Sequence, residues 1–180
     1  MPDNEADYGD HEADPQDAED IGELTSESLA WQLLLLVNPG DEDTAMRQFA
    51  TYQDAVAESG EEVDPVWLLK DAIDWSSGFF VDWKDTETFI DSVNELVRRW
   101  NLEIDWGGEP SEEEFLAGTD IPALMSTAYD RLRERGYTLW TWDTGSDSFG
   151  GWITLSRDDE AMRVVAVAMN IELRPGSDSF

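Results

Sequence analysis

Residues 137–170 read YTLWTWDTGSDSFGGWITLSRDDEAMRVVAVAMN, and the fold turns on how that run is divided. Tyr137–Trp142 and Trp152–Ser156 alternate with a period of two, so successive side chains point to opposite faces of a strand. Between them, Thr144–Gly150 is turn chemistry: glycine reaches positive φ, and Asp and Ser bond back to their own backbone. From Ala161 to Met169 only Arg163 is clearly polar. A helix apolar on all sides is buried on more than one of them. The run therefore reads as a β-hairpin that docks a buried helix.

The hairpin has two unlike faces. Leu139, Ile153 and Leu155 make an ordinary core face. The opposite face carries Trp140, Trp142 and Trp152. A sheet face that apolar is either covered by a second layer or offered to a partner. The loop is longer than a two-residue hairpin turn, and extra length at strand ends is a common seat of function. The candidate binding residues are therefore Trp140, Trp142, Asp143, Ser146, Asp147, Ser148, Phe149 and Trp152. The alternatives are a core face and a wide turn that binds nothing.

Outward from the hairpin, helices alternate with stops. Ser26 or Thr25 caps a first helix over Leu24–Val37, and Asn38-Pro39-Gly40 ends it. Asp41 or Asp43 caps a second, to about Glu58, with Met46, Phe49, Ala50, Gln53 and Val56 at helical spacing and Gly60 as its end. Asp64-Pro65 opens a third. Asp85 caps a fourth, in which Phe89, Ile90, Val93, Leu96, Val97 and Trp100 share one face. Ser111–Glu114 has the form of a capping box. Asp120 caps a helix that ends at Gly136, with Arg131, Arg133 and Arg135 in its last turns, where cations suit the helix dipole. Asp158 or Asp159 caps the last helix. Phe79–Trp83 reads as an edge strand or a buried connection, and Leu102–Trp106 and Ile171–Leu173 read as short strands. The expectation is an α+β fold: five or six helices on a small antiparallel sheet. A single domain spans residues 23–175, between an acidic disordered tail (1–22) and a flexible end (176–180).

Charge bounds the function. There are 42 acidic residues against 11 basic ones, a net charge of −31. Such a body repels nucleic acids and anionic membranes and attracts basic proteins. Three causes compete for the charge: solubility in a salt-rich cytoplasm, a basic protein partner, and plain compositional bias. There is no cysteine, and the one histidine, His11, lies in the acidic tail. Thiolate chemistry is thus excluded, and imidazole chemistry nearly so. The acidic N-terminus lacks the basic and apolar regions of a signal peptide, so the expected location is the cytoplasm. No phosphate loop, nucleophile elbow or metal-binding helix motif occurs. The Asp143–Asp147 loop is oxygen-rich but lacks the spacing of a calcium loop. No cofactor, metal site or catalytic residue is assigned.

The segments LAWQLLLLVNPGDED, DWKDTETFIDSVNELV and LWTWDTGSDSFGGWITL, followed by an Ala/Val-rich helix, resemble a bacterial family of domains of unknown function, DUF6630. The resemblance spans roughly Leu24–Leu173. It implies a small bacterial cytosolic protein and carries over no activity and no catalytic residue. The hairpin-plus-helix ending is also similar in general shape to small toxin-immunity proteins, which is analogy. The expected function is a non-catalytic module for a basic protein partner. The alternatives are a divalent-metal enzyme using the loop carboxylates and a salt-adapted housekeeping domain.

Overall fold

The computed structural model describes residues 25–59 and 63–180. The acidic segment 1–22, with His11, and the helix stop at Gly60 lie outside the described residues.

Short polar side chains start most of the helices. α1 (Ser26–Val37) is capped by Thr25, whose Oγ1 accepts the Ser28 N–H at 3.0 Å. α2 (Glu42–Ser59) is preceded by Asp41, which accepts the Thr44 N–H at 3.2 Å. Asp64 caps α3 (Pro65–Ala72), with Pro65 in the first turn, where no amide is needed. Asp85 caps α4 (Thr86–Arg98). Asp120 caps α6 (Ile121–Arg133). Each such cap stabilises by about 1 kcal/mol.

Two expected caps do not form. The five-residue α5 (Glu113–Ala117) starts after Glu112, not Ser111, and no side chain bonds its first amides. α7 (Asp159–Ala168) follows a 3-10 turn, Ser156–Asp158, and Asp158 makes no cap bond. Asp159 is committed elsewhere: it accepts from Arg133 Nη1 and from Thr138 Oγ1, both at 2.7 Å.

β1 (Gly78–Asp82), β2 (Tyr137–Trp142), β3 (Ser148–Leu155) and β4 (Leu173–Pro175) form one antiparallel sheet in the order β1-β3-β2-β4. With seven α-helices among the described residues, the fold is α+β, built around the C-terminal hairpin. Leu139 pairs with Ile153, and Trp140 with Trp152. β1 is the edge strand read at Phe79–Trp83. β4 begins two residues later than the strand read at Ile171. Leu102–Trp106 is not a strand. Leu102 and Ile104 are half-buried and Trp106 buried, so the alternation holds, but no neighbouring strand pairs with it. Alternation reports which side faces inward, not whether a ladder exists.

Each face of the sheet has its own helical layer. Trp140, Trp142 and Trp152 lie in a core with residues of α1, α2, α3 and α7. Leu139 and Ile153 lie in a second core with α4, α6 and Trp106. The tryptophan face is thus covered, the first of the two alternatives.

β3, inside the sheet, carries Gly150-Gly151, where glycine signals close approach. A Cβ at Gly151 would stand 2.0 Å from the Trp140 carbonyl oxygen and 2.7 Å from the Phe79 ring. At Gly150 it would enter the Trp142 indole. The missing side chains let Phe80 and Trp142, from the strands on either side, bring their ring centroids within 5.9 Å.

Two helix faces differ from expectation. In α2 the buried residues are Ala45, Gln48 and Tyr52, while Met46 is 57% exposed. Gln48 is buried because Asn38 and Ser77 meet it: Asn38 Nδ2 donates to Gln48 Oε1 at 2.9 Å, and Gln48 Nε2 donates to Ser77 Oγ at 2.8 Å. In α7 only Met162, Val165 and Ala166 are buried, and Val164 and Val167 are 57% and 78% exposed. The helix is apolar all round but covered on one side.

The chain ends in a 3-10 turn, Gly176–Asp178, with Gly176 buried beside Leu139 and the Met125 carbonyl. The Arg174 guanidinium stands 4.3 Å from the Phe180 ring centroid.

Candidate functional site

Trp142 ends β2 and lines two clefts, so the site is built around it. Trp67 meets it edge-on at 5.2 Å between centroids, and Phe80 meets Trp67 at 5.8 Å. Three rings from α3, β1 and β2 therefore hold one another at distances typical of favourable aromatic pairs.

The loop side is a cleft of about 280 Å³, lined by Trp83, Trp142, Asp143, Ser146, Asp147, Ser148, Phe149 and Phe180, together with Thr144. Six of the eight candidate residues meet here. The loop is closed on itself. Thr144 Oγ1 donates to the Ser148 carbonyl at 2.7 Å and accepts the Ser146 N–H at 3.2 Å. The Gly145 N–H donates to Asp143 Oδ1 at 2.9 Å, and Gly145 takes φ +69°, which suits glycine. The Asp143 N–H donates to the Glu172 carbonyl at 3.0 Å, tying the loop to the approach of β4. Asp143 and Asp147 stay exposed at the rim.

The second cleft, about 250 Å³, opens beside β1 and includes Lys70, Asp74, Trp75, Phe80, Trp142 and Trp152. Lys70 Nζ stands 4.6 Å from the Phe80 ring centroid. Burial pushes the Asp74 carboxyl up, but its bonds from Ser76 and the Arg47 guanidinium outweigh that and hold it below its ordinary value. Trp152 is buried here, and its indole Nε1 finds no acceptor among the described residues.

Residues 29–176 match the family model described as Domain of unknown function (DUF6630). The chain belongs to that family. No curated protein and no solved structure matches it. The DUF6630 match takes in the residues of both clefts except Phe180.

Within the DUF6630 domain, Trp140 lines neither cleft. It is interior, its Nε1 donates to Thr154 Oγ1 at 2.8 Å, and the Arg163 guanidinium stands 5.2 Å from its ring. Trp75 and Trp83, not singled out from the sequence as binding residues, are 55% and 50% exposed. A signal for them existed: Trp83 lies in the run Asp82-Trp83-Lys84-Asp85, which leaves no apolar neighbour to bury it with. Among the described residues no three His, Cys, Asp or Glu side chains are grouped to hold a metal ion. None of the described helices is long and apolar enough to cross a membrane.

Proposed function

We propose that this DUF6630 protein is a non-catalytic binding module for a basic protein, docked on Trp83, the Asp143–Asp147 loop and the first residues of β3, Ser148 and Phe149. The observation that carries the reading is the loop-side cleft. There a half-exposed tryptophan stands with the exposed carboxylates of Asp143 and Asp147, on a body of net charge −31. A desolvated aromatic anchor inside a charged rim is the usual arrangement of energetic contacts in interfaces. Complementary charge speeds encounter and rejects acidic competitors. The specific form of this role is an inhibitor of immunity type, covering a basic surface of its target in a bacterial cytoplasm. The alternative of a loop-carboxylate metal enzyme lacks a comparable geometric footing.

The test is to capture partners on the immobilised full chain and measure binding of the purified candidate by calorimetry at low and moderate salt. The expected partner is basic, binds roughly tenfold or more weakly as salt screens the charges, and loses affinity with Trp83→Ala and with Asp143→Asn/Asp147→Asn. A partner indifferent to salt and to both variants refutes the reading.

A further inference from the structure

We propose that the cleft beside β1 is a binding site for a small carboxylate with a flat aromatic or apolar body. Two independent observations meet there. One is the cleft itself, about 250 Å³, with Phe80 and Trp142 as apolar walls and Lys70 among its lining residues. The other is Trp152, 1% exposed, which lines the same cleft and whose indole N–H has no acceptor among the described residues.

The contrast with Trp140 sharpens the second point. The two tryptophans are direct register partners, and Trp140 Nε1 has Thr154 Oγ1 at 2.8 Å. A buried donor left unpaired is costly, so an unpaired one in a cleft points to an acceptor that comes from outside the chain. Indole donates only, and so does an ammonium group. A cationic ligand has nothing to give Trp152 Nε1, whereas a carboxylate is an acceptor for an indole N–H and an ammonium alike. Two acids line the cleft: Asp71, at its exposed edge, accepts from Lys70 Nζ in a long 3.5 Å contact that a ligand carboxylate would replace, and Asp74 already accepts from the Ser76 N–H at 3.0 Å and Arg47 Nη1 at 3.3 Å. The aromatic walls then hold a planar body against Phe80 and Trp142. The site differs from the proposed partner surface in charge logic, since an anion reaches a body of this charge more easily as salt screens it.

The experiment is an NMR titration of the full chain, labelled with 15N at the tryptophan indoles, using benzoate and its neutral analogue benzamide as probes. The expected result is a saturable downfield shift of the Trp152 indole proton. Benzoate should bind roughly tenfold more tightly than benzamide, the size expected of a charge-assisted hydrogen bond. Lys70→Met, at a partly exposed position, should abolish that preference without unfolding the chain. Trp152→Phe, with its fold checked, should weaken benzoate about tenfold. The proposal is overturned if the Trp152 indole proton is unmoved by benzoate and shows exchange with water alone. Benzoate binding equally well to the wild type and to both variants overturns it too.

Discussion

Trp142 and Gly150 are register partners across β2 and β3, and the Trp142 indole occupies the volume a Cβ at position 150 would need, at 2.7–2.8 Å. The glycine is therefore the floor on which the central ring of both clefts rests. Gly150→Ala should displace the indole and lower stability by about 1–3 kcal/mol, the usual cost of overpacking. Gly151→Ala should be worse, because its Cβ would meet backbone, the Trp140 carbonyl, at 2.0 Å. Urea unfolding midpoints of the two variants check the order.

The phase of α2 is testable with two substitutions. Gln48→Leu strips partners from Asn38 and Ser77, both buried, and should cost about 1–3 kcal/mol. Met46→Ala, at an exposed position, should change stability by no more than about 0.5 kcal/mol. Equal losses, or a larger loss at Met46, would place the inward face of α2 wrongly.

Acid should act on this protein in two opposed steps. The hydroxyl and amide of Thr44 hold the Asp41 carboxyl below its ordinary value of 3.8, and Asp74 is lowered as well. A carboxyl whose folded value is lowered adds stability that is complete above its unfolded value. That stability is lost as pH falls through the folded one. Before that point, protonating other acids relieves the self-repulsion of a net −31 chain. Stability should thus rise from pH 7 toward about 4–5 and fall below about pH 4. Thr44→Val should bring the Asp41 carboxyl back toward 3.8, which carboxyl 13C titration reads directly. At neutral pH, added salt should raise the unfolding midpoint by screening the same repulsion.

Arg99 ties two helix ends together. Its Nε donates to the Leu96 carbonyl at 2.9 Å and its Nη1 to the Val37 carbonyl at 3.0 Å. Its guanidinium stands 4.3 Å from the Trp100 ring, which stacks on Tyr137 at 4.3 Å. Burial pushes the guanidinium down to about 10, with Asp41 and Tyr137 pulling it back up. A basic group lowered on folding costs stability at every pH below its folded value, so this cost should be flat from pH 4 to about 9. Arg99→Lys should lose about 1–2 kcal/mol, since one ammonium cannot serve both carbonyls with the geometry of a planar fork. Thermal unfolding at pH 5 and pH 8 should show the same decrement at both.

What could be read from the chain was local. Thr25, Asp41, Asp64, Asp85 and Asp120 announce their helices because a cap is a contact across two or three residues. The two faces of the hairpin follow from a period of two, which groups Leu139 with Ile153 and Leu155; that Leu139 pairs with Ile153 was decided by the folded sheet. Where the cap residue had a distant competitor the reading failed, as at Asp159, taken by Arg133 and Thr138. The candidate site was legible in its loop half. The Trp83 and Lys70 sides were not, because β1 and α3 lie some sixty residues or more before Trp142 in the chain and meet it only in the folded structure.

By itself the sequence determined the class of the fold, the two faces of the hairpin and the net charge, since these depend on periodicity and composition. The tertiary structure alone decided that the tryptophan face is roofed by helices, that α7 turns Val164 and Val167 to solvent, and that Gln48 is buried while Met46 is not. An apolar side chain carries no record of which neighbour will cover it. That is settled only when segments far apart in the chain compete for the same surface.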